Sequence, residues 1–313
     1  MLTDLFHIAI FPGFLFLVIS GFIAETIDRK MYARLQNRMG PPWFQPVADF
    51  LKLIGKEELY PCEADVPVVR LMPIVALTCV VTAFLYIPLS GVKALYSFEG
   101  DIIVIIYLLT IPTISYFLGG WYSRSVYSML GAVRAIIQLF AYEVPLFLAI
   151  LAPTILANTW SLSRMAEFYS QHPLLCCFNI IGFMISIISL MGKLEKTPFD
   201  IPEAETEIVA GSFTEYSGRM LALFKVSINV ETIVGAALVA AVFLPFGFNS
   251  GWIIGSVSFV LKILFIIFLM TLIRTIVARL RIDQMIDLCW RFFAPFALLQ
   301  VLINLLAKEF LSI

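Results

Sequence analysis

Eight stretches of this chain are long and apolar enough to cross a lipid bilayer, and no other feature narrows its possible folds so far. They are Leu5 to Ala24, Val69 to Leu89, Ile102 to Trp121, Ala132 to Ala157, Leu174 to Gly192, Ile228 to Phe246, Trp252 to Ile273 and Phe292 to Leu311. A spanning helix needs about 20 such residues, because the hydrocarbon core offers no partner for an unpaired backbone group. Composition agrees: 14% of residues are charged and the mean hydropathy is +0.95, whereas soluble domains carry roughly 25% charged residues. The reading is an all-α membrane protein, a single polytopic domain over residues 1–313 with the lipid bilayer as its solvent. The first stretch is too long for a signal-peptide core and is followed by charge, so it is read as a retained helix.

Charge sets the expected orientation. Lys and Arg gather in the odd-numbered connections: Arg29, Lys30, Arg34, Arg38, Lys52, Lys56 and Arg70 in the first; Arg124 and Arg134 in the third; Lys193, Lys196, Arg219 and Lys225 in the fifth; Arg274, Arg279, Arg281 and Arg291 in the seventh. Only Lys93, Arg164 and Lys308 lie on the other side, with Lys262 inside a stretch. The positive-inside rule then places the odd connections in the cytoplasm and both termini on the non-cytoplasmic side. The two long cytoplasmic loops, about residues 25–68 and 193–227, are where a soluble partner would dock. In the first of them Val47, Phe50, Leu51 and Ile54 recur at helical spacing, with Asp49, Lys52 and Lys56 facing away. That pattern predicts an amphipathic helix, lying in the membrane interface or packed on the bundle.

Several functions are disfavoured by the same residues. A net charge of -1 without a basic patch gives nucleic acid no footprint. Cys62, Cys79, Cys176, Cys177 and Cys289 lack C-x-x-C spacing and His7 and His172 lie far apart, so no metal, haem or iron–sulfur site is legible in this chain. No tandem repeat marks it as a stand-alone secondary transporter.

The chemistry that is legible is acidic. The fifth connection carries Asp200 ahead of Pro202, then Glu203, Glu205, Glu207 and Glu215. Asp200 and Pro202 resemble a helix start, which would explain the glutamates as favourable charges at its positive end. Alternatively Glu203 and Glu207, four apart on one face, repel and hold a proton more tightly. Glu143 and Glu231 fall inside apolar stretches, where an ionisable group costs about 3 kcal/mol and marks an ion pathway or a specific pairing. For Glu143 the pairing would be with Arg134 or Gln138; Glu231 lies near enough to a helix end to snorkel. The seventh connection adds Arg279, Arg281 and Asp283, a candidate charge network or docking face together with Arg29, Lys30, Arg34 and Arg38.

Longer motifs resemble a known family. They are Asp28-Arg29-Lys30 with Ala33-Arg34-Leu35-Gln36-Asn37-Arg38-Met39-Gly40-Pro41; Gln45-Pro46-Val47-Ala48-Asp49; Gly131, Arg134, Gln138 and Tyr142-Glu143; Pro198-Phe199-Asp200 through Glu215-Tyr216-Ser217-Gly218; and Arg281-Ile282-Asp283-Gln284 with Trp290. From Asp28 to Trp290 the chain resembles the H-type membrane subunit of respiratory complex I and its relatives in energy-converting membrane-bound hydrogenases. The resemblance implies a non-catalytic anchor in the cytoplasmic membrane of a prokaryote, between hydrophilic redox subunits and antiporter-like membrane subunits. It implies no cofactor in this chain, with iron–sulfur clusters, and in the hydrogenase branch nickel-iron, in the partners. The acids Glu203, Glu205, Glu207 and Glu215 would line a proton-linked path that Glu143 continues. Two departures, only Pro42-Trp43-Phe44 between Pro41 and Gln45, and Gly192, Lys193 and Lys196 ahead of Pro198, favour the hydrogenase-like and sulfur-reducing branch over a quinone reductase.

Overall fold

A computed structural model describes residues 2–89, 94–247 and 251–311. In chain order its helices are α1 (Leu2–Ala9), α2 (Phe14–Leu35), α3 (Gln45–Ile54), α4 (Val66–Phe84), α5 (Asp101–Tyr122), α6 (Val126–Ala157), α7 (Leu162–Gln171), α8 (Ile180–Lys193), α9 (Glu205–Ile208), α10 (Gly218–Phe243), α11 (Trp252–Ile276), α12 (Ile282–Leu288) and α13 (Ala294–Leu311). Eight helical stretches are long and apolar enough to cross a membrane, matching the eight expected from sequence. Among the described residues no strand is present.

Their limits differ from the sequence reading in ways that matter. The apolar run ends at Ala24, but α2 continues to Leu35, because a helix stops where backbone geometry changes and not where hydropathy falls. Asn37, in the left-handed region at φ 56, and Gly40-Pro41-Pro42 end it. Arg29, Lys30 and Arg34 therefore ride on a helix and not in a loop. At the other end of the chain, α12 and α13 are continuous through a π-turn over Cys289–Phe293, which places Asp283 and Arg291 on helix as well. The expected first-loop helix is α3, entered through Pro46 in its first turn. Its Phe50 ring packs at a tilt against Phe22 of α2, 5.4 Å between centroids, while Val47, Leu51 and Ile54 stay exposed.

The sixth span also changes. It begins at Gly218 instead of near Ile228. Gly218 adopts φ +59, and a Cβ there would lie 2.9 Å from the carbonyl oxygens of Lys56 and Glu57, so the first loop packs directly on the start of α10. Ten further residues, Arg219, Lys225 and Ser227 among them, thus belong to the helix, and Glu231 sits deep inside it. α10 is the central helix: 83% of its apolar window is buried, against 22% for the last span. Gly235, Ala236, Ala237 and Ala240 make that possible, since small residues let neighbouring helices approach where no hydrophobic force separates protein from lipid.

Candidate functional site: a charge-lined cavity under the fifth connection

The segment from Leu194 to Ser217 packs on α5 and α6 through its turn at Gly211–Phe213 and reaches α2 and α10 through the ion pairs Lys196–Asp28 and Lys225–Glu203. Three devices hold it. Gln138 of α6 donates to the carbonyls of Gly192 (2.6 Å) and Phe199 (2.7 Å). Leu280 N–H donates to the Pro198 carbonyl at 3.1 Å. Gly131 of α6 and the turn Gly211–Phe213 touch so closely that a Cβ on Gly131 would lie 2.4 Å from the Ser212 nitrogen. Beneath the segment lies a cavity of about 550 Å³.

Its walls carry six carboxylates, Glu25, Asp28, Glu195, Asp200, Glu203 and Glu231, and six cations, Arg29, Lys193, Lys196, Lys225, Arg274 and Arg279. Five of the carboxylates are held by cations. Glu25 takes Arg29 and also accepts from Asn229. Asp28 takes two, Lys196 at 3.1 Å and Arg274 at 3.5 Å, and accepts from Thr271 at 2.6 Å. Asp200 pairs with Arg279 at 3.2 Å, Glu203 with Lys225 at 3.2 Å and Glu231 with Lys193 at 3.3 Å. The Lys193–Glu231 pair is close enough for charge pairing but not aligned as a hydrogen bond, because the ammonium donates instead to the Leu109 carbonyl of α5. Tyr116 donates to the other Glu231 oxygen at 3.2 Å and hydrogen-bonds Ser227 at 3.0 Å. The Lys193 ammonium also lies 5.9 Å from the centre of the Tyr142 ring.

Glu195 is the sixth carboxylate. It occupies the left-handed position, φ 51, just past α8, where Lys196 N–H closes back onto the Met191 carbonyl. Glycine is usual there, and a larger residue is held at a strain of about 1–3 kcal/mol. Glu195 is half-buried, with part of its side chain facing the cavity; one carboxyl oxygen is covered by protein and has no hydrogen-bond partner among the described residues. Burial pushes its pKa well above the ordinary glutamate range, and the negative charges of Glu203 and Glu231 push it further, against a weaker opposing pull from Lys225.

Several expectations are revised by this geometry. Glu203 and Glu207 do not share a helical face: α9 begins only at Glu205, so Pro202 and Glu203 precede it. Glu207 instead faces outward and pairs with Arg134 at 2.6 Å, and that hydrogen bond holds its carboxyl below the ordinary range. With Arg134 and Gln138 both engaged elsewhere, neither is the partner of Glu143, which lies half-buried on α6 with Lys193 as the cation acting on it. Glu231 does not snorkel: at 1% exposure, it lies far from both ends of α10. Glu215 is half-buried outside the cavity, Lys30, Arg34, Arg38, Arg281 and Asp283 are exposed, and the side chain of Glu205, like Lys93, lies outside the described residues. Sequence reasoning missed Glu25, Asp28, Glu195 and Lys193 as site residues. The signal available for Glu195 was a charge immediately after a long apolar run, which alone does not separate a loop acid from a buried one.

Fold and site together define a multi-pass helical membrane protein with a cavity lined by paired ionisable groups. Over residues 7–305 the chain matches the NADH dehydrogenase family, and it belongs to that family. It is 33% identical over 319 residues to the NADH-quinone oxidoreductase H subunit of Carboxydothermus hydrogenoformans, covering 97% of this chain and 90% of the relative. The corresponding NADH-quinone oxidoreductase chain of Dehalococcoides mccartyi strain 195 is 33% identical over 295 residues, 92% of this chain and 83% of the relative. A chain of the membrane-bound sulfane sulfur reductase, an archaeal respiratory membrane complex, superposes with a TM-score of 0.83 at 24% identity, covering 93% of this chain and 96% of that one. That likeness shows the fold. The resemblance to the complex I membrane component drawn from the motifs is borne out by the family and these relatives.

Proposed function

We propose that this chain is a membrane anchor and ion-coupling subunit, without redox chemistry of its own, in a complex I-like energy-converting assembly. The observation that carries this reading is the cavity's pairing pattern. Cations from α8, α10, α11, the fifth connection and the connection after α11 are matched to carboxylates on other elements, so a change of charge at the fifth connection must be answered by helices that reach across the membrane. Lys193 acts on both Glu231 and Glu143 and so links the cavity to α6. Moving one charge against 100 mV requires about 2.3 kcal/mol, which a change of about 1.7 in the pKa of one carboxyl supplies.

In this reading the odd connections and the cavity face the cytoplasm, both termini face the other side, and hydrophilic redox subunits dock over the first and fifth connections. Ferredoxin-driven reduction of protons or of a sulfur compound in those subunits, which would hold the iron–sulfur and any nickel-iron centres, drives proton or sodium movement through antiporter-like membrane neighbours. Glu143→Gln and Glu231→Gln in the purified complex, reconstituted into vesicles, should leave electron transfer running while coupled ion transport is lost. Wild-type transport in both variants would overturn the proposal.

The relatives' names favour a second reading, a quinone site. Twelve acidic and basic side chains line the cavity, which suits water and protons better than an apolar quinone ring. Metal content and the ferredoxin-driven product of the tagged complex separate the two: hydrogen or sulfide evolution supports the first, quinone reduction the second.

A further inference from the structure

We propose that Glu195 is the proton-loading residue of the cavity, the single carboxylate there that takes up and gives back a proton during turnover. The proposal rests on the coupling reading above and adds the residue at which the proton arrives. It stands on the pairing pattern. Six cations face six carboxylates, but Asp28 holds two of them, which leaves Glu195 without a cation of its own among the described residues. A carboxylate locked to a cation is a poor proton acceptor because protonation forfeits the pair, whereas an enclosed carboxylate with no pair gains by becoming neutral.

The groups around Glu195 make its charge responsive. Glu203 shares its connection, Glu231 and Lys225 face it from α10, and the phenols of Tyr116 and Tyr142 feel its charge from α5 and α6. Across the cavity on α2, Asp28 is committed to its two cations. Movement of Lys225 away from Glu203 therefore leaves two carboxylates beside Glu195 and favours uptake; its return favours release. The step balances simply. A hydronium ion from the aqueous side gives its proton to a Glu195 oxygen, forming a neutral carboxylic acid and water, with no electron transferred. Release reverses it, and Glu231, held by Lys193, is the next carboxylate inward.

Infrared difference spectroscopy on the intact purified complex, reduced with dithionite and followed in light and heavy water, reads this directly. The wild type should show a carboxylic-acid C=O band that shifts on deuteration. Glu195→Gln should lose that band and proton translocation with it while electron transfer continues, and Glu207→Gln should keep both. A band unchanged in Glu195→Gln places the proton elsewhere and overturns the proposal. If Glu195→Gln does not assemble, Glu195→Asp carries the test: the pH midpoint of the band must move, and an unmoved midpoint overturns the proposal equally. Should Glu143→Gln and Glu231→Gln both transport normally, the coupling reading itself falls. Should they fail to transport while Glu195→Gln transports normally, only this assignment falls.

Discussion

The Lys193 ammonium lies 3.3 Å from a Glu231 oxygen, and the two side chains are only 3% and 1% exposed. Lys193 is the last residue of α8 and Glu231 sits in the middle of α10, so this pair ties the mouth of the fifth connection to the central helix. An enclosed pair adds little to stability over an apolar pair, but losing one partner leaves an uncompensated charge.

Lys193→Met should therefore destabilise the chain by about 3–5 kcal/mol, read as a lower thermal midpoint of the purified complex. Adding Glu231→Leu to it should recover most of that loss. If the double variant is no more stable than the single one, the pair is not what holds these helices together.

Glu195 has a raised pKa in the folded chain, so the folded state binds its proton more tightly than the unfolded state does. Stability associated with it is complete below the ordinary glutamate value of about 4.3 and declines as pH rises toward the raised value, by up to about 1.36 kcal/mol per pH unit. Glu195→Gln should match the wild type in thermal midpoint near pH 4 and exceed it by a growing margin at neutral pH. A constant difference across that range would mean that the carboxyl is not buried as described.

Gly131→Ala should displace the turn at Gly211–Phe213, since the new Cβ meets backbone atoms 2.4–2.5 Å away that cannot give way like a flexible side chain. A cost of about 1–3 kcal/mol is expected, together with faster proteolysis in the fifth connection. Wild-type protease resistance would count against the described contact.

Cys62 is exposed in the first connection. With the cytoplasmic placement proposed for that connection, a membrane-impermeant maleimide should modify it in inverted vesicles and leave it untouched in right-side-out ones. The reverse pattern would invert the topology.

Much of the architecture is legible in the sequence, and the site only in part. Asp200, Glu203, Glu231, Arg29 and Arg279 were candidates from sequence and all line the cavity. Glu207 and Arg134 were also candidates, yet they meet each other on an outer surface. Asp28 and Lys196 lie 168 residues apart and Lys193 and Glu231 belong to different helices, so neither pairing leaves a trace in local spacing.

The sequence by itself determined that the chain forms eight helical stretches long and apolar enough to cross a membrane, because lipid forces every long apolar run to satisfy its own backbone. It also determined that the acids of the fifth connection sit among basic neighbours. Only the tertiary structure decided which acid meets which base. Partner choice depends on how far α10 extends before its first membrane turn, on small residues that bring helices together, and on a chain reversal that gives Asp28 two cations and Glu195 none among the described residues. Those are distances between remote segments, set by packing, and charge order along a chain does not encode them.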